Sequence, residues 1–66
     1  MKNILQELRK NRKLTQEQLA EIIGVSRQTI NAIEKGKFDP SLPTAFRMAQ
    51  LLEKKIEDIF LFNDKD

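Results

Sequence analysis

One stretch, Thr15 to Lys37, restricts what this chain can fold into more than any other part of it. It reads as two short amphipathic helices with a single glycine, Gly24, between them. Thr15 and Ser26 each stand where a helix opens. A hydroxyl there accepts a backbone N–H that the first turn cannot satisfy internally. Thr15 and Gln18 also have capping-box spacing. Leu19, Ala20 and Ile23 make the buried side of the earlier helix. Gly24 then ends it in the left-handed conformation that glycine adopts cheaply. Val25 plugs the corner. The later helix buries Ile30 and Ile33, three residues apart, and stops at Gly36.

Burying those two isoleucines decides what the later helix shows to its surroundings. Advancing about 100° per residue puts Arg27, Asn31, Lys35, Gln28 and Ala32 in one sector, at roughly 0, 40, 80, 100 and 140°. Ile30 and Ile33 lie opposite, near 300 and 240° on the same scale. A helix pair with a polar outer face of this kind is a helix-turn-helix pattern, and it points to the major groove of DNA. Arginine pairs bidentately with guanine, and glutamine or asparagine with adenine. Ala32 is small enough to allow close approach or to touch a thymine methyl. The candidate base-contacting residues are therefore Arg27, Gln28, Asn31 and Ala32. Gln16 opens the earlier helix, where free backbone N–H groups hold phosphate. Lys35, Lys37 and Lys13 add candidate phosphate contacts, which set register and carry no base information.

The rest of the chain reads as three more helices with no competing strand pattern. The first spans about Asn3 to Lys13, with Ile4, Leu5 and Leu8 as its apolar stripe. Arg9, Lys10, Arg12 and Lys13 load its last turn, where cations suit the helix dipole. The fourth opens at Ser41, tolerates Pro43 in its first turn and ends near Glu53. Its apolar positions are Leu42, Ala45, Ala49 and Leu52, flanked by Phe46 and Met48. The fifth, about Ile56 to Leu61, caps the core through Ile56, Ile59 and Phe60. The tail after Phe62 is expected to fray.

Composition narrows the function classes. Sixty-six residues make one domain, residues 1–66. A core this small needs support, and the absence of cysteine and histidine removes disulfides and ordinary zinc sites. A partner subunit remains. No metal or other cofactor is expected. Residues 1–38 carry eight Lys/Arg against four Asp/Glu, a net +4, whereas residues 39–66 carry four against six, a net −2. The basic half holds the helix pair, which suits a phosphate-facing surface. No apolar run approaches the roughly 20 residues of a membrane span, and the opening residues turn polar too soon for a signal peptide. A cytoplasmic, nucleoid-associated protein is the expectation. An enzyme is disfavoured because the carboxylates are scattered along helix surfaces. RNA binding is disfavoured because stacking aromatics are nearly absent, with four Phe and no Trp or Tyr.

At this point the chain resembles a known family, the phage Cro/C1-type or XRE helix-turn-helix domains. The resemblance rests on Leu14-Thr-Gln-Glu-Gln-Leu-Ala, Gly24-Val-Ser-Arg-Gln-Thr-Ile, Ile33-Glu-Lys-Gly-Lys, Pro40-Ser-Leu, Ala49-Gln-Leu-Leu and Ile56-Glu-Asp-Ile-Phe, across about residues 4–60. Small stand-alone members of the CylR type, with a similar Ser-Arg-Gln-Thr-Ile-Asn segment, look closest. The resemblance implies an all-α, five-helix, lambda-repressor-like domain whose second and third helices form the DNA-binding unit. It implies a homodimer on a roughly palindromic operator. It also implies that Gln16 clamps a phosphate, that Arg27, Gln28 and Asn31 read bases with Ala32 alongside, and that Lys35 and Lys37 face the backbone. Arg9 and Glu34 match a structural ion pair between the first and third helices. Two departures stand out. Glu53-Lys54-Lys55 occupies a place where relatives often have glycine followed by Ser, Thr or Pro. Phe38 replaces a tyrosine found in some relatives and is assigned to packing.

The expected function is a sequence-specific transcriptional regulator of double-stranded DNA, a homodimeric repressor acting by promoter occlusion. The alternative is an antitoxin-like or other protein-interaction module. Leu42, Phe46, Leu61 and Phe62 are candidate dimer residues, with Leu42 and Phe46 equally assignable to the core. No small-molecule ligand and no membrane partner is expected.

Overall fold

The computed structural model describes residues 1–64. The elements are β1 (Lys2–Asn3), α1 (Leu5–Asn11), α2 (Gln16–Ile23), α3 (Arg27–Glu34), α4 (Leu42–Leu52), α5 (Ile56–Ile59) and β2 (Phe60–Leu61). The five helices stand where the sequence puts them. α1 and α5 are each shorter than expected, and the fraying expectation for Lys65 and Asp66 lies outside the described residues.

The three expected N-caps are all built. The side chains of Thr15, Ser26 and Ser41 accept from the backbone N–H of Gln18, Thr29 and Thr44. At Thr15 the box closes, because the Thr15 N–H donates in return to Gln18 Oε1 at 2.9 Å. Each such cap stabilises its helix by about 1 kcal/mol.

The helix ends share one device. Lys13, Gly24, Gly36 and Glu53 all have positive φ, at 58, 89, 73 and 55°. In each case the next N–H reaches back five residues: Leu14 to Arg9, Val25 to Ala20, Lys37 to Ala32 and Lys54 to Ala49. Left-handed closure with this backward bond satisfies carbonyls that the helix leaves unpaired. Two of the four closing residues are glycine and two are not. Lys13 closes α1 early, so Arg12 and Lys13 lie in the turn and not in the last helical turn.

The core is one cluster. Leu5, Leu19, Ile30, Ile33, Met48 and Ile59 are its fully buried side chains, so every helix contributes to it. Ala20, Ile23, Ala45, Ala49, Leu52 and Phe60 complete it, with Leu8, Leu14, Val25, Leu51 and Ile56 packed against it. On α4 the buried face is Ala45, Met48, Ala49 and Leu52, which leaves Leu42 and Phe46 outside the core. Phe38 does not pack inward as expected. Its loop follows Gly36, and the ring is exposed.

One element is absent from the sequence reading. β1 and β2 pair antiparallel, Lys2 opposite Leu61 and Asn3 opposite Phe60. The Ile4 N–H extends the pairing to the Ile59 carbonyl at 2.9 Å. Two-residue strands carry no alternation to detect, so periodicity cannot find them. Asn3 also bonds through its side chain, whose Nδ2 donates to the Met1 carbonyl at 3.1 Å. Its Oδ1 accepts from the Leu5 N–H at 3.1 Å, and its Nδ2 donates to the Ile33 carbonyl at 2.8 Å. The ribbon thereby touches both the start of α1 and the end of α3.

A residue with a Cβ in the left-handed region carries a penalty of about 1–2 kcal/mol that glycine avoids. Part of that is returned by the unfolded entropy of glycine. Glu53 also reaches Arg12 at 3.9 Å, but this pair is largely exposed and contributes little. Glu53→Gly is expected to stabilise the domain by roughly 0.5–1 kcal/mol, raising Tm by about 2–6 °C in a thermal melt. An unchanged or lower Tm would remove strain at this helix end.

Candidate nucleic-acid interface

α2 and α3 meet at a corner fixed from three sides. Gly24 supplies the turn, its N–H and that of Val25 both ending on the Ala20 carbonyl. Val25 is half-buried against the core, and Ile30 and Ile33 are fully buried, so α3 has one rotational setting about its axis. From α4, Arg47 Nη1 donates to the Ile23 carbonyl at 3.4 Å, tying α4 to the end of α2. The sequence reading gave Arg47 no role. The available signal was a lone cation on an otherwise uncharged α4.

The setting of α3 sends Arg27, Gln28 and Lys35 into solvent and leaves Asn31 and Ala32 half-buried on the flank. Lys37 and Lys13 are exposed, Lys37 just beyond α3 and Lys13 in the turn ahead of α2. The face joins three exposed cations of α3 and its C-terminal turn with two carboxamides and a small apolar contact. It has donors for phosphate and both donors and acceptors for base edges.

Beneath it lies an ion pair. Arg9 Nε meets Glu34 Oε2 at 2.6 Å, and Arg9 Nη2 meets Glu34 Oε1 at 3.2 Å, with the side chains only 8% and 2% exposed. Arg9 Nη1 donates to the Leu14 carbonyl at 2.7 Å. This bidentate pair fastens α1 and the turn before α2 to the end of α3.

Gln16, half-buried at the first position of α2, is drawn into the same group. Its Nε2 donates to Glu34 Oε1 at 3.0 Å and to Asn31 Oδ1 at 3.2 Å. Both hydrogens of that amide are therefore used inside the protein. The sequence reading separated Gln16 from Asn31 and Glu34 by function, and the fold brings them into one chain of hydrogen bonds. Positions 16, 31 and 34 share no helical period across the turn, so only the docking of α2 on α3 reveals it.

Among the described residues no helix is long and apolar enough to cross a membrane, and no group of His, Cys, Asp and Glu is arranged to hold a metal ion.

This architecture defines a helix-turn-helix DNA-binding domain. A profile of helix-turn-helix proteins matches residues 5–59. An uncharacterized HTH-type transcriptional regulator of Methanocaldococcus jannaschii is 58% identical over 66 residues, covering 100% of both chains. The uncharacterized HTH-type transcriptional regulator YgzD of Bacillus subtilis is 42% identical, again over 100% of both. Among solved structures, the restriction-modification controller protein C.AhdI from Aeromonas hydrophila superposes with a TM-score of 0.75 at 32% identity, over 85% of each chain. The chain belongs to the helix-turn-helix family, of the Cro/C1 or XRE type, and is a transcriptional regulator in a group that is not enzymatic.

Removing one partner of a buried pair strands the other charge, at a cost of about 3–5 kcal/mol. Arg9→Met is expected to lose stability on that order in urea unfolding. Arg9→Met with Glu34→Leu is expected to recover part of it, since no charge then stays buried alone. Equal losses in the single and double variants would show that the pair acts only by filling space.

Proposed function

We propose that the protein is a repressor that binds a palindromic operator as a homodimer and blocks access to a promoter. The observation supporting this most directly is the division of α3. Ile30 and Ile33 are fully buried while Arg27 and Gln28 on the other flank are exposed. In the proposed complex α3 lies in the major groove. Arg27, Gln28 and Asn31 face base edges, with Ala32 against a methyl group. The backbone at Gln16 and the side chains of Lys13, Lys35 and Lys37 meet phosphates.

A second copy is favoured by an apolar surface that the core leaves uncovered. Leu42, Phe46, Leu61 and Phe62 are 66, 53, 49 and 74% exposed. A cleft of about 220 Å³ lined by Leu42, Ala45, Ile56 and Phe60 adjoins one of about 290 Å³ lined by Leu61 and Phe62. The two share Met1 and Asp39, so Leu42, Leu61 and Phe62 border one continuous depression, with exposed Phe46 on the same helix as Leu42. The domain is 33 Å in its longest dimension. Two successive major grooves on one face of DNA lie about 34–36 Å apart, so reading both calls for two α3 helices and hence two copies. Occlusion is the simplest mechanism for so small a domain, and it places the protein in the cytoplasm on the nucleoid.

With three lysines per protomer on phosphate, affinity is expected to fall about a thousandfold between roughly 50 and 200 mM salt. Arg27→Ala is expected to relax base preference, while Lys37→Ala weakens binding to specific and random DNA alike. Fluorescence anisotropy on both DNAs separates the two. Equal loss on both DNAs for Arg27→Ala would take Arg27 out of the reading set.

Phe46→Lys places a charge in the proposed interface. Sedimentation is expected to show a dimer for the natural protein and a monomer for the variant, with an unchanged far-UV spectrum. A natural protein that sediments as a monomer on and off DNA would overturn the dimeric arrangement.

A further inference from the structure

Both oxygens of Glu34 accept from the Arg9 guanidinium, so the carboxylate is held as an acceptor on each side. The Gln16 group 3.0 Å from Glu34 Oε1 must therefore be the amino group and not the carbonyl. That same nitrogen lies 3.2 Å from the Asn31 side chain, and its second hydrogen needs an acceptor there. Asn31 must turn its carbonyl oxygen toward Gln16. A flipped Asn31 would set two amino groups against each other. The charge of Glu34 thus dictates the orientation of two carboxamides in succession.

The amino group of Asn31 is left over. Within the described residues it has no acceptor. Among the described residues no buried side-chain nitrogen or oxygen lacks a partner, so this amino group reaches solvent. Asn31 lies on the flank of α3 that carries Arg27 and Gln28.

We propose that Gln16 fixes Asn31 as a hydrogen-bond donor toward DNA, so that Asn31 selects a keto base, guanine or thymine, at its position in the operator. The inference rests on the reading of α3 as the groove helix and deepens it. An unrestrained asparagine favours adenine, because it donates to N7 while accepting from the N6 amino group. That bidentate pairing needs the carbonyl oxygen directed at the base, and here the oxygen is directed at Gln16. Adenine keeps one acceptor, N7, but sets its N6 amino donor beside it, whereas guanine offers O6 and N7 and thymine offers O4, acceptors only. Cytosine presents an amino group and is rejected. Gln16 is a positioning residue in this scheme. It shapes the preference through Asn31 without touching the base.

Two measurements test this. In the free natural protein, side-chain amide NMR should show slow exchange for the Gln16 amino protons and fast exchange for those of Asn31. The reverse order would overturn the assigned polarity, and it requires no variant to fold. Selection of bound sites from random duplexes supplies the second test, using the natural protein, Asn31→Ala and Gln16→Met. The position whose preference is lost in Asn31→Ala is the one Asn31 reads. There the natural protein should select guanine or thymine. Gln16→Met should raise adenine about tenfold relative to the keto bases, because Asn31 is then free to turn. Adenine selected by the natural protein, or a preference unmoved by Gln16→Met, would overturn the proposal alone. Failure of the natural protein to select any sequence would overturn it together with the DNA-reading role of α3. The exchange data would still report the polarity of the two amides.

Discussion

The bidentate contact between Arg9 and Glu34 holds together parts of the molecule that hydrophobic packing alone leaves adjustable. Apolar contact fixes how far α3 sinks into the core, since Ile30 and Ile33 are fully buried. It fixes less well how α3 is placed along the chain segments beside it. Arg9 adds direction. From α1 it grips both oxygens of Glu34 and the Leu14 carbonyl, so α1, the turn ahead of α2 and the end of α3 are held in mutual register. A planar five-donor guanidinium suits such a junction, whereas an ammonium group lacks the fork geometry. The energetic gain of a buried pair over an apolar one is small, but the directional constraint is large.

The hydrogen bonds of Gln16 extend that constraint outward. A carboxylate accepts only, an amide has one donating and one accepting end, and the sequence of partners leaves a single consistent orientation. Rigidity at a buried pair becomes chemical polarity near the surface. The interface is accordingly a graded layer. Arg27 and Gln28 stand free, while Asn31 is coupled inward.

Much of this was legible from residues alone, and the exceptions share physical causes. The caps at Thr15, Ser26 and Ser41 were readable because each signal is local: a hydroxyl bonded to a backbone group three residues on. The ends at Gly24 and Gly36 were readable because glycine marks left-handed backbone. Lys13 and Glu53 adopt the same conformation without that mark, so α1 was drawn too long. The outward flank of α3 followed from the helical period and the two isoleucines. The β1–β2 ribbon, the exposed setting of Phe38 and the Gln16 hydrogen bonds were hidden because each depends on segments far apart in sequence. The division of α4 into an inner face through Met48 and an outer one through Leu42 and Phe46 was ambiguous for a related reason. An apolar stripe wider than the core can cover belongs partly to something else.

The one-sided burial of α3 bears on how such a protein diversifies. Among the described residues the exposed side chains of Arg27 and Gln28 make no hydrogen bond or ion pair, so on the proposed reading of α3 a lineage can exchange them and acquire new targets while its thermodynamic stability stays level. Gln16 and Asn31 have no such liberty. Drift at either one disturbs a partner joined to the Glu34 carboxylate, and change there is expected to arrive in pairs. Evolution of target choice in this scaffold therefore has fast sites and slow ones, sorted by attachment to the interior.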